Sequence, residues 1–70
     1  MPDKLTWKDV DEIGYRLSEA HAQTDPLSVR FTQLRDMVVA LQGFADDPAA
    51  VSEKILESIQ MAWLEYVKGR

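Results

Sequence analysis

Apolar positions recur along this chain with the period of a helix rather than that of a strand. Within DVDEIGYRLSEAH, Val10, Ile13, Leu17 and Ala20 return at three- and four-residue spacing, which predicts a helix over about Asp9–His21. Gly14 falls on the same side, where a missing side chain lets another helix approach closely. Thr6 followed by Asp9 is a variant of the helix-start signature, with an acid favoured in the first turn. A second run, about Gln33 to Gln42, turns Leu34, Met37, Val38 and Leu41 inward, and Thr32 is its expected cap. Gly43 supplies the left-handed residue that ends it, with Phe44 packing back on Val39 in a Schellman closure. The third run is the longest. From Pro48 to about Val67, Val51, Ile55, Ile59, Ala62 and Tyr66 form a central stripe, widened by Leu56 and Trp63. Met61 and Leu64 lie off that stripe.

Two Asp-Pro steps punctuate the pattern. In TDPLS, Asp25 reads as an N-cap and Pro26 as the first helical residue of one short turn, after which Val29, Arg30 and Phe31 read as a short extended strand. In FADDPAA, Asp47 reads as the N-cap of the third helix and Pro48 as its first residue. Asp46 is not needed for that cap, so its charge is left for solvent, metal or a partner. The pattern as a whole predicts a mainly α fold, a small single domain over residues 1–70 with three principal helices and an ordered core of about 5–67.

Composition narrows the function classes. A hydrophobic fraction of 46% with 29% charged residues is globular rather than disordered. The chain has no cysteine, which excludes a disulfide framework, a thiolate zinc site and a catalytic thiol. No apolar run approaches the roughly 20 residues that span a bilayer, and MPDKLTWKD lacks a signal-peptide core. A soluble cytoplasmic protein is therefore expected. The net charge of −4 turns expectation away from nucleic acid and toward cations or a basic protein surface.

Catalytic chemistry has little to work with. His21 is the sole histidine, no nucleophile is marked for it, and no glycine-rich phosphate loop is present, so an enzyme is not expected. Its position suits a favourable cation near the C-terminal end of the first helix. Carboxylates are the better lead. Between Asp9 and Asp25 stand five acids, Asp9, Asp11, Glu12, Glu19 and Asp25, against Arg16 as the one Lys or Arg. Glu12 and Glu19 project opposite the apolar stripe, with Asp9 and Asp11 flanking it. Oxygen ligands of this kind suit hard cations and hold iron weakly when water completes the shell. The same residues also fit a solvated helix face partly neutralised by a Glu12–Arg16 pair. Arg30, Arg35 and Gln33 cluster beside Asp36, a weak signal for a groove-reading helix.

The segments LTWKDVDEIG, TDPLSVRFTQL, the phenylalanine before ADDP, and SEKILESIQMAWL occur in an order and spacing similar to those of the IscX (YfhJ) family of iron–sulfur cluster assembly proteins. The resemblance covers about Leu5 to Glu65, and its most specific parts are DP…VRFT and F-x-DDP…EKILE-x-I…WL. It implies a small, mostly helical, modified winged-helix fold. It also implies a non-catalytic adaptor or regulator that binds an IscS-type cysteine desulfurase through an acidic surface, near the region where bacterial frataxin binds. Iron, Fe²⁺ or Fe³⁺, would bind weakly through exposed carboxylates. Asp9, Glu12, Asp25, Asp46, Asp47 and Glu57 stand at acidic positions of the family, and Glu19 keeps the charge with a longer side chain. Gln33, Gly43, Ala45 and the basic tail YVKGR depart from the family's acidic pattern, so weaker binding to a basic surface is expected. The local acidic excess and the resemblance together give an expected partner face of Asp9, Asp11, Glu12, Glu19 and Asp46, with Glu12, Glu19 and Asp9 as weak iron ligands. A winged-helix-like DNA-binding or general protein-interaction domain is the alternative, because a fold alone does not set function. A continuous acidic patch would favour the first reading, and a basic recognition helix the second.

Overall fold

Gly14 decides how the two longest helices meet. In the computed structural model, which describes residues 4–69, the chain runs α1 (Val10–Ala20), a 3-10 turn (Pro26–Ser28), α2 (Phe31–Val39) and α3 (Glu53–Lys68). A Cβ placed on Gly14 would lie 2.8 Å from Ala62 Cβ and 2.9 Å from backbone atoms of Ala62 and Trp63. Those separations are shorter than van der Waals contact, so α3 can cross α1 at this height only over a glycine. The close approach expected from sequence is there.

Around that crossing α1 buries Ile13, Leu17 and Ser18, α2 buries Leu34 and Val38, and α3 buries Leu56, Ile59 and Trp63. Leu5 and Trp7, which precede α1, complete the core. The buried line of α3 is therefore Leu56–Ile59–Trp63. Val51 and Ile55 pack at its edge, while Tyr66 is exposed and meets Tyr15 of α1 edge-on at 5.5 Å.

Helix starts differ from the sequence expectation in instructive ways. Asp9 is the N-cap of α1, but its carboxylate turns backward and accepts from Thr6 N–H at 2.9 Å and Thr6 Oγ1–H at 3.1 Å. The Thr6-x-x-Asp9 signature thus closes a turn ahead of the helix. α2 begins at Phe31, not Gln33, and Arg30 rather than Thr32 is its N-cap. Gln33 Oε1 accepts from Arg30 N–H at 3.3 Å, the return bond of a capping box, while Thr32 lies inside the first turn. Val29 and Arg30 are extended, as expected, but they form no strand, and Phe31 is helical and packs against the core.

The largest correction concerns α3, whose first residue is Glu53 rather than Pro48. Ser52 is its N-cap, accepting from Ile55 N–H at 3.3 Å. Asp47 does use its side chain as expected of a cap, taking Ala49 N–H at 2.9 Å, but the turn closes with Ala50 N–H to the Asp47 carbonyl and goes no further. Asp25-Pro26 repeats the same geometry, with Leu27 N–H on Asp25 Oδ1 and Ser28 N–H on the Asp25 carbonyl, both at 3.0 Å. Each Asp-Pro step opens a single turn.

Between α2 and α3 the chain crosses back to the N-terminus. Gly43 has φ 87° at the third position of a turn closed by Phe44 N–H to the Leu41 carbonyl, where glycine avoids the steric penalty. That bond replaces the Schellman closure expected for Phe44. Phe44 instead pairs with Leu5 in an isolated parallel bridge, and its ring stands edge-on to Trp7 at 4.9 Å. No β-hairpin forms among the described residues, so the wing of a winged helix has no counterpart there. Among those residues, too, no helix is long and apolar enough to cross a membrane.

Candidate partner-binding face

The outward side of α1 carries three of the five acids expected to act together. Asp11 and Glu19 are exposed and Glu12 is half-buried. Glu12 holds Arg16 through Nε at 2.9 Å, and Arg16 in turn donates from a terminal nitrogen to the Gln42 carbonyl at 3.0 Å. The i,i+4 pair fixes one acid of the face, and the Arg16–Gln42 bond ties α1 to the turn that follows α2. Glu19 follows Glu12 by two helical turns, about 10 Å along the axis at ~1.5 Å per residue, with the Arg16 guanidinium on the helix surface between them.

The other two acids are engaged elsewhere. Asp9 is turned onto Thr6 as described. Asp46, expected to be spare, is half-buried and holds the fold together: its Oδ2 accepts from Trp7 N–H at 3.1 Å, and its Oδ1 accepts from Asp47 N–H at 2.7 Å. The Trp7 indole N–H donates to the Asp47 carbonyl at 2.7 Å. The reason is tertiary. A backbone donor exposed by the turn before α1 needs an acceptor, and the loop after α2 delivers one from 39 residues away.

No three histidine or carboxylate side chains among the described residues gather at a point where a metal ion could sit. Glu12, Glu19 and Asp9 accordingly stand as separate oxygen donors on the surface rather than as a built cage. α2 offers no basic recognition surface either. Its exposed side chains include Thr32, Gln33, Arg35 and Asp36, and Arg35 leans on Asp36 at 3.8 Å.

Glu57, Met61 and Glu65 follow one another at i,i+4,i+8 on α3 and face Asp11 and Val10 of α1 across an open groove of about 350 Å³. Met61 is 48% exposed in its middle. The i,i+4 spacing was readable in the chain, but only the Gly14 crossing brings Asp11 to the same groove.

Set against known proteins, residues 5–68 match the family described as iron–sulphur cluster assembly. The chain belongs to that family, which is the IscX (YfhJ) domain family. A relative described as an uncharacterised protein, from Pseudomonas aeruginosa, is 49% identical over 61 residues, covering 87% of this chain and 92% of the relative.

Proposed function

We propose that this protein is a non-catalytic adaptor or regulator of iron–sulfur cluster assembly that works in the cytoplasm. It docks the outward face of α1 on a basic surface of an IscS-type cysteine desulfurase and modulates sulfur delivery. Beside family membership, the observation that carries this reading is the placement of exposed Asp11 and Glu19 and half-buried Glu12 on the outward side of α1 in a chain of net charge −4. Asp9 and Asp46 add to the negative field, with their carboxylates turned onto the backbone N–H groups of Thr6 and Trp7. Attraction of this type chiefly speeds encounter and is screened over about 8 Å at physiological ionic strength. Fe²⁺ or Fe³⁺ would associate weakly with Glu12, Glu19 and Asp9, each supplying an oxygen while water fills the remaining positions.

Calorimetry of the purified chain with the desulfurase at low and high salt tests the reading. Affinity is expected to fall as salt rises. Glu12→Lys with Glu19→Lys should lower it further while the helical circular dichroism is kept. Salt-independent binding, or full affinity in the double reversal, would remove α1 from the interface.

A further inference from the structure

We propose a second docking site, the α1–α3 groove, for a basic protein segment that presents one large apolar side chain between lysines or arginines. The site shares Asp11 with the α1 face proposed for the desulfurase but goes beyond that reading and does not rest on it. Its lining combines the apolar side chains of Val10, Met61 and Ala62 with the carboxylates of Asp11, Glu57 and Glu65. None of these three carboxylates has an ion-pair partner among the described residues, whereas Glu12 and Asp36 do. Covering these apolar side chains takes the neighbouring acids out of water, which is costly unless the covering group brings positive charge. An anionic ligand is repelled for the same reason.

Met61 specifies the rest of the partner. It lies 48% exposed midway along the Glu57–Met61–Glu65 ridge, and its unbranched, polarisable side chain adapts to an incoming apolar group. An apolar anchor surrounded by polar contacts that exclude water is the usual form of a protein-binding hot spot. The groove is open, so it fits a side chain projecting from a segment better than an enclosed small molecule. On α1, Asp11 is turned about 100° from Glu12, so the groove and the Glu12–Glu19 side are separate faces that share an edge. Lys54 and Lys68, both exposed on α3, stand near the two ends of the ridge.

The test is an NMR titration of the whole ¹⁵N-labelled chain with a synthetic lysine-rich helical peptide carrying a single leucine. A charge-matched peptide with serine in place of the leucine is the comparison. Shifts are expected at Val10, Asp11, Ser58, Met61 and Ala62. Affinity should drop roughly fivefold or more when the leucine is removed, in line with the loss of one partly buried apolar side chain. Met61→Ser, a change at a half-exposed position, should cause a similar drop, and Glu57→Gln with Glu65→Gln should weaken both peptides. Glu12→Gln with Glu19→Gln should leave the leucine effect in place. Equal binding of the two peptides, or shifts centred on Glu12 and Glu19, would overturn the site. No desulfurase is present, so the outcome is separate from that of the adaptor reading.

Discussion

The α1–α3 crossing and the link between residues 5–7 and 43–47 hold the same small core by opposite means. At the crossing, contact is apolar and close: Gly14 admits the Ala62–Trp63 backbone, and Ile13, Leu17, Ile59 and Trp63 are fully buried around it. At the link, contact is largely polar and directional. Leu5 N–H meets the Gly43 carbonyl at 2.8 Å, Trp7 N–H meets the Asp46 carboxylate, and the Trp7 indole meets the Asp47 carbonyl. Apolar packing tolerates little change of volume and depends on no particular donor or acceptor. The polar link is sensitive to the loss of a single acceptor, because a donor left unpaired keeps its desolvation cost.

The sharpest way to test this difference is at the crossing. Trp63→Ala should cost about 3–5 kcal/mol through the cavity it leaves, against a total of only ~0.05–0.15 kcal/mol per residue, so the variant should be largely unfolded. Gly14→Ala removes a residue unfavourable in helices by about 1 kcal/mol, yet overpacking typically costs about 1–3 kcal/mol. With backbone atoms at 2.9 Å the clash cannot be relieved by a side-chain rotation. Net destabilisation in urea is therefore expected, and a Gly14→Ala variant as stable as the parent would mean that the helices do not cross there.

A smaller effect is expected at the polar link. Asp46→Ala should destabilise by about 1–3 kcal/mol, the range for stranding a buried donor, with Asn recovering part because its oxygen can still accept. Tryptophan fluorescence should report the change through Trp7. If Asp46→Ala melts with the parent, the link contributes little and the core rests on the helices alone.

Smallest are the two caps. Ser52→Ala should cost about 0.5–2 kcal/mol as the true N-cap of α3. Asp47→Ala should lie at or below the low end of that range, since its side chain serves one exposed amide and its carbonyl still receives the indole. Thermal melts that rank Asp47 above Ser52 would return the start of α3 to Pro48.

Much of the helical frame was legible in the chain. The 3.6-residue period located α1 to within a residue at each end and marked Gly14 as a close approach. The Asp25-Pro26 turn and the positive φ at Gly43 also followed from local chemistry. The family could be read from DP…VRFT and F-x-DDP…EKILE, and the match over residues 5–68 bears it out. The acidic face was less legible. Glu12, Glu19 and Asp11 do point outward, but Asp9 and Asp46 cannot be told from them in the chain, because composition records a charge without its hydrogen-bond partner.

What the sequence determined by itself is therefore whatever depends on neighbours within about one helical turn: helix period, turn chemistry, the glycine turn, and the outward side of α1. The tertiary structure decided the rest. It placed Asp46 on Trp7, put Phe44 beside Leu5 and Trp7, and brought Asp11 opposite Glu57, Met61 and Glu65. It also accompanies the late start of α3, because residues 44–47 are held against the N-terminal segment and the Asp47 turn closes before the helix begins. The physical reason is that local propensities differ by about 1 kcal/mol or less per residue. A buried donor that must find an acceptor, or a backbone that fits only over glycine, exceeds that, and the residues that satisfy either one can lie 39 positions away.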